Sequence, residues 1–184
     1  MDRSVSIIGA GIAGLSCALA LARIGAKVQI FEQAGKITEI GAGLQITPNG
    51  VAVLDALGLG EQLRAAAQPT TAVCLRDYRR GKLVLRLDMQ SRGAGRPYLI
   101  LHRADLIGLL AKAAQEAGVT IRLGQMVESI SLDGDVPVVS IVGGQTHKPE
   151  ILVGADGLHS RLRSALACEQ KPNFTGQVAW RAIV

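Results

Sequence analysis

At 184 residues, 48% of them hydrophobic and 19% charged, the chain can bury one proper core with a small appendage, and this balance argues against a disordered tract. Aromatic residues, at 3%, are too few for a platform that stacks single-stranded nucleic acid. The net charge of +5 is spread thinly instead of gathered in a basic tail, which suits anionic cofactors and small anionic substrates better than a polyanion.

Met1-Asp2-Arg3-Ser4 leads straight into an apolar run, so no signal peptide is expected and a cytoplasmic location is. The stretch Val5-Ser6-Ile7-Ile8-Gly9-Ala10-Gly11-Ile12-Ala13-Gly14 reads as a strand, a tight turn and the opening of a helix. Gly9 allows the turn, Gly11 has no side chain to hold a pyrophosphate away from the backbone, and Gly14 lets the helix sit close to the strand. The helix start offers unpaired amides and partial positive charge, which makes Gly9, Gly11, Ala13 and Gly14 candidate cofactor contacts. The helix is expected over 12–24, with Leu15, Leu19 and Ala22 on its apolar face and Gly25 as its stop. It is too short to span a bilayer and is punctuated by Ser16 and Arg23, so no stable membrane insertion is expected. A second strand, 27–32, ends on Glu32, whose carboxylate can accept both hydroxyls of an adenosine ribose. It would repel a 2′-phosphate, which favours FAD or NAD over NADP.

A long loop over 34–47 carries Gly41-Ala42-Gly43-Leu44, either a close approach of backbone to a ligand or a flexible connector. Pro48-Asn49 opens a helix over 50–57 that stops at Gly58, and a second short helix over 61–67 is broken by Pro69. Strands over 70–78 and 83–88 joined by Arg79-Arg80-Gly81-Lys82 make a hairpin with a basic tip in water, an excursion into a second sheet. After a return loop over 90–97 and a strand over 98–101, a helix starts at His102-Arg103-Ala104-Asp105-Leu106 and ends at Gly118. Residues 119–123 supply a third strand to the nucleotide domain. Segments 126–132, 137–142 and 148–153 form a small meander with turns at Asp133-Gly134 and Gly143-Gly144. The last of these delivers Gly154-Ala155-Asp156-Gly157 to the place where open α/β sheets put ligands. A final strand over 177–184 has no partner after it. The chain therefore reads as cut short, with an apolar edge expected to promote self-association.

Cys17, Cys74 and Cys168 have neither C-x-x-C spacing nor paired histidines, so neither a metal site nor a disulfide framework is indicated. Arg103 at a helix start is badly placed against the dipole unless an anion, such as a phosphate, lies beside it; the alternative is a surface arginine paired with Asp105 or another acid. Asp156 can accept a bond from a sugar-like hydroxyl or can cap the helix that follows.

These motifs resemble those of a family. Gly9-x-Gly11-x-x-Gly14 with Glu32, then His102-Arg103-Ala104-Asp105-Leu106, then Gly154-Ala155-Asp156-Gly157-x-x-Ser160-x-x-Arg163 are similar to the ordered motifs of the single-component (class A) flavoprotein aromatic hydroxylases. The run from Gly41 to Gly50 and Ala179-Trp180-Arg181 lean toward the salicylate and 3-hydroxybenzoate hydroxylase branch. The resemblance implies an α/β fold: a Rossmann-like FAD-binding domain of glutathione-reductase type, with a parallel sheet, a β-meander and the start of a second, antiparallel substrate-domain sheet. It implies an FAD-binding domain over 1–69 and 98–176 and partial substrate-domain strands over 70–97 and 177–184. By the same resemblance Glu32 binds the FAD ribose, the glycine turn the pyrophosphate, and Arg103 the pyrophosphate or ribityl side. The Ala42-Gly43 backbone lies near the flavin, Val127 meets the adenine through its backbone, Asp156-Gly157 serves FAD and reduced nicotinamide, and Arg163 helps to hold its helix. The implied reaction uses NAD(P)H and oxygen to hydroxylate a small phenolic or aromatic carboxylate by way of a flavin C4a-hydroperoxide. Gln33 departs from the basic residue that relatives often carry after the ribose-binding acid. Relatives are also considerably longer, and no catalytic residue is assigned within 1–184. The absence of the family's second Gly-Asp motif would suit a non-catalytic nucleotide-binding module, and an NAD-dependent dehydrogenase would share the first strand-helix-strand unit without accounting for Arg103 or Asp156-Gly157.

Overall fold

The computed structural model describes residues 4–37, 43–89, 95–166 and 172–178. In chain order the elements are β1 (Ser4–Ile8), α1 (Ile12–Arg23), β2 (Lys27–Phe31), β3 (Gly43–Ile46), α2 (Pro48–Ala56), α3 (Gly60–Ala66), β4 (Gln68–Pro69), β5 (Ala72–Arg76) and β6 (Leu83–Asp88). They continue with β7 (Leu99–His102), α4 (Arg103–Glu116), β8 (Thr120–Arg122), β9 (Val127–Ser131), β10 (Val138–Ile141), β11 (Thr146–His147), β12 (Ile151–Gly154), a 3-10 turn (Gly157–His159) and α5 (Arg161–Leu166). Of the described residues, 4–37, 110–166 and 172–178 form one compact unit, and 43–89 with 95–109 the other.

The first unit is built on a parallel sheet in the order β12-β1-β2-β8. Residues alternate across a strand, so the register Ile7↔Ile30 and Ile8↔Phe31 sends one pair to each face. Ile7 and Ile30 are fully buried, and α1 packs against β1 and β2 with Leu15, Ala18 and Leu19 inside. On the opposite face, Ile8 and Phe31 cluster with Val127, Val139 and Ile141 of the meander β9-β10-β11 and with Leu162 of α5. Cover on both faces lets adjacent residues of one strand both be buried, as Ile7 and Ile8 are in β1 and Ile30 and Phe31 in β2. The buried exception is Ser6, 1% exposed, whose Oγ accepts from Gln29 Nε2 at 2.9 Å. Gln29 Oε1 in turn accepts from Arg122 Nε at 3.1 Å, so the polar group inside the sheet is connected out to its edge strand.

Two assignments made from sequence change here. The meander's third strand is Thr146–His147, whereas Ile151–Gly154 leaves it and pairs in parallel with β1, Ile8 opposite Gly154. Pro149 lacks an amide hydrogen and interrupts any strand running through 148–153, and the Ile-Leu-Val run beyond it suits a strand buried on both sides. The expected loop over 34–47 contains a strand at its end, since Gly43–Ile46 pairs antiparallel with β7. Four residues opening on glycine are too short a run for periodicity to declare them. Of the expected last strand over 177–184, Gln177 and Val178 are in no strand, and 179–184 lie outside the described residues.

The second unit contains the antiparallel sheet β3-β7-β4, the helices α2 and α3, and the hairpin β5-β6. Asp55 on α2 bridges Arg64 of α3 at 2.8 Å and Arg96 at 3.7 Å, and those guanidinium groups, Arg64 first, hold its carboxyl below the ordinary range. The hairpin tip is set by Asp77, whose carboxylate accepts the amides of Arg79, Arg80 and Lys82. Across the hairpin Leu75 faces Leu85 and Val73 faces Leu87, giving one apolar face.

Candidate dinucleotide site

The turn after β1 is fixed by backbone sterics. Gly9 has φ +99°, its amide donates to Phe31 O at 2.8 Å, and a Cβ on it would lie 2.5 Å from Ala155 O. A Cβ on Gly14 would lie 1.9 Å from Gly9 O, a distance no packing adjustment of a backbone oxygen absorbs. Both glycines are therefore required by the fold itself. Gly11 is different, for its backbone is ordinary extended chain (φ −74°, ψ −178°) and a Cβ would meet nothing within 4 Å. Neither conformation nor packing asks for glycine there, and the space above it is open.

Gly11 is also the N-cap of α1, with no side-chain cap and no acidic residue in the first turn. Leu15 donates to Gly11 O at 2.9 Å, whereas the amides of Gly11, Ile12, Ala13 and Gly14 have no acceptor among the described residues. An uncapped helix start beneath open space is a seat for an anion.

Glu32 follows β2 and stands beside this turn. Its Oε2 accepts the Ala10 amide at 2.7 Å and its Oε1 the Ala34 amide at 2.9 Å. Its own backbone is held on both sides, donating to Arg122 O at 2.9 Å and accepting from Gln125 at 2.8 Å. Ala10 and Ala34 were invisible as partners in the sequence because they act through backbone alone. Val127 opens β9 two residues after Gln125, with its side chain buried in the cluster around Phe31.

The segment after β12 lies under the turn: Ala155 donates to Ile8 O at 2.8 Å, and the space where Gly9 lacks a Cβ is bounded by Ala155 and Asp156. Asp156 braces the start of α5 from the loop before it. Oδ1 accepts from Ser160 Oγ at 2.6 Å, and Oδ2 accepts the amides of Arg161 at 2.6 Å and Leu162 at 3.4 Å. Ser160 Oγ accepts the Arg163 amide at 3.0 Å, and the Arg163 guanidinium donates to the carbonyls of Gly157 and Leu158, closing the loop. The glycine turn, Glu32 and the Asp156 segment thus meet at the carboxyl edge of one sheet, where such folds take ligands.

Arg103 belongs to the second unit, half-buried at the start of α4, whose Ala104 amide donates to His102 Nδ1 at 3.2 Å. Gly43 opens β3 directly opposite His102, so the structure brings Gly43 and Arg103 to neighbouring positions. Ala42 lies outside the described residues. Cys17 on α1 is half-buried, and burial raises its thiol pKa, the opposite of an activated nucleophile. Among the described residues no cluster of His, Cys, Asp or Glu could hold a metal, and no helix is long and apolar enough to cross a membrane.

The sequence profile of the FAD-binding domain family matches residues 2–183. The chain belongs to this family. As an FAD-binding domain it is 37% identical over 188 residues to the 3-hydroxybenzoate 6-hydroxylase of Polaromonas naphthalenivorans, covering 100% of this chain and 46% of that protein. It is 31% identical over 182 residues to the 6-hydroxynicotinate 3-monooxygenase of Bordetella bronchiseptica, covering 97% of this chain and 47% of the relative. The chain spans about half the length of the curated relatives it matches. Among solved structures, the tetrameric form of 2-methyl-3-hydroxypyridine-5-carboxylic acid oxygenase superposes with a TM-score of 0.78 at 27% identity, over 90% of this chain and 42% of the other. A Klebsiella pneumoniae HpxO variant complexed with FAD gives a TM-score of 0.74 at 29% identity, over 88% of this chain and 42% of that one. The residues present fit the family's cofactor: free amides on Gly11 to Gly14 for a pyrophosphate, a bare Cα at Gly11 for its approach, and Glu32 acceptors for a ribose.

Proposed function

We propose that this FAD-binding domain holds its cofactor on the glycine turn and works within a monooxygenase that uses NAD(P)H and oxygen to hydroxylate a small aromatic carboxylate. The substrate class rests on the names of the relatives, which act on hydroxybenzoate and hydroxynicotinate. In this reading Gly9 shapes the turn, the amides from Gly11 through Ala13 to Gly14 bind the pyrophosphate, and Glu32 accepts the adenosine ribose hydroxyls. Val127 meets the adenine through its backbone, Ala42 and Gly43 lie along the flavin, and Arg103 contacts the pyrophosphate or ribityl side. Asp156 acts through the loop that it caps. In this proposal residues 1–69 and 98–176 are assigned to the FAD-binding domain, and 70–97 with 177–184 to the substrate-covering part.

Bound FAD supplies the redox and oxygen chemistry; the chain's own residues bind and orient it and shield it from water. The observation that carries the reading is Gly11, a glycine that neither packing nor a left-handed backbone requires, set under open space at a helix start with no side-chain cap. Titrating FAD into the chain and following the quenching of flavin fluorescence tests it. Saturation at one equivalent is expected, with NAD failing to compete and Glu32→Arg weakening binding at least about tenfold, or about 1.4 kcal/mol. No saturable FAD binding, or equal affinity in the variant, would overturn the assignment.

A further inference from the structure

We propose that Glu32 is also a positioning residue, a clasp that closes the glycine turn before any cofactor arrives. The ribose contact in the previous subsection would be made by oxygens already at work inside the protein.

The bookkeeping of the turn's donors carries this. Two successive turn amides are tied to two successive residues at the end of β2: Gly9 to the carbonyl of Phe31 at 2.8 Å, and Ala10 to the carboxylate of Glu32 at 2.7 Å. The first tie is ordinary backbone pairing, and the second replaces a carbonyl with a charged side chain, whose hydrogen bonds are shorter and stronger. The carboxylate does not swing freely, because its other oxygen holds the Ala34 amide at 2.9 Å and the backbone from which it projects is pinned by Arg122 and Gln125. Ala34 is held in turn, since its carbonyl accepts from Gly124 at 3.0 Å. A glutamate serving a ligand alone would need none of these partners.

Two consequences follow for the cofactor. With the Ala10 amide spent, the uncommitted donors begin at Gly11, which places the phosphate over the start of α1 and not over the apex of the turn. The negative charge stays on the β2 side, so the ribose and phosphate ends of the site are separated by who owns which amide.

The clasp gives a neutral replacement an awkward choice. Glutamine has one acceptor oxygen for two amides, and its NH2 group would face the other amide donor to donor. Aspartate keeps the charge and is one methylene too short to serve Ala10 and Ala34 together.

The test is amide hydrogen exchange on the flavin-free 184-residue chain, comparing wild type with Glu32→Gln and Glu32→Asp, with FAD affinity measured on the same samples. Exchange at Ala10, at Ala34 or at both should accelerate at least about tenfold in each variant, the scale of one lost charge-assisted bond, while Ile7 and Ile30 in the β1–β2 ladder stay within about twofold. Unchanged exchange at both Ala10 and Ala34, or an equal loss of protection at these amides and at Ile7 and Ile30, would overturn the clasp. The proposal rests on the FAD reading only for its effect on binding, and the two fail separately. Faster exchange at Ala10 or Ala34 with FAD affinity intact upholds the clasp and removes the ribose contact. Weaker FAD binding with Ala10 and Ala34 both still protected refutes the clasp and leaves the ribose contact standing.

Discussion

Alanine substitution of the three motif glycines separates what the fold needs from what the ligand needs. At Gly14 two effects oppose each other. Replacing a helical glycine by alanine gains about 1 kcal/mol in propensity, but the new methyl would stand 1.9 Å from Gly9 O. Overpacking typically costs about 1–3 kcal/mol, and here the obstacle is backbone, so the clash wins and Gly14→Ala should lose at least about 2 kcal/mol. Gly9→Ala adds a left-handed backbone (φ +99°) to a 2.5 Å contact with Ala155 O, each worth about 1–3 kcal/mol. Gly11→Ala meets nothing within 4 Å in a conformation that any residue adopts, so its stability should change by less than about 1 kcal/mol, the poorer N-cap offset by a less flexible unfolded chain. Its methyl occupies the space assigned to the pyrophosphate, and FAD affinity should fall at least about tenfold. Urea unfolding of flavin-free protein and flavin fluorescence titration read the two quantities independently. A Gly11→Ala protein that is as destabilised as Gly14→Ala, or that binds FAD like wild type, would refute the division.

Two further outcomes follow from the capping and turn geometry. Asp156→Ala removes the acceptor of the Arg161 and Leu162 amides, and should cost about 0.5–2 kcal/mol with the loss concentrated in faster exchange at those two positions; uniform loss across β12 would contradict it. Asp77 has its carboxyl held below the ordinary carboxylate value by the amides of Arg80, then Lys82 and Arg79. A lowered folded-state pKa means that its contribution is present above the ordinary value and is lost as pH falls through the lowered one. The Arg80 amide resonance should therefore hold its position down to that acid range and then move, and Asp77→Ala should show the shifted position at every pH.

The first strand-helix-strand unit was legible because three physical demands coincide in it: strands rich in Val and Ile for a buried sheet, glycines at the turn, and an acid at the end of β2. The hairpin was legible too, since Arg79-Arg80-Gly81-Lys82 interrupts two alternating runs. Which sheet a strand joins was not written locally. Residues 151–154 have the composition of a buried parallel strand, but following two meander strands they read as a third, and only the loss of an amide at Pro149 marks the departure. Gly43–Ile46 alternates, with Leu44 and Ile46 the half-buried pair, but four residues opening on glycine are too few for the alternation to stand out from a loop. At Asp156 the sequence left two roles open, and its carboxylate accepts the amides that open α5. The partners of Glu32 could not have been found at all from residue types, because any amino acid supplies a backbone amide.

The pairing of β1 with β12 bears on how the protein is made. Val5 lies beside Ile151, and the turn at Gly9 rests on Ala155, so the glycine motif is floored by chain translated well over a hundred residues after it. Closing a loop of that size carries an entropic term of about 4 kcal/mol, and contacts so distant in sequence form slowly. A nascent chain that has not yet exposed residue 155 displays its complete glycine signature with nothing beneath it. A complete floor under the glycine turn therefore waits for residue 155, long after the turn itself has been translated.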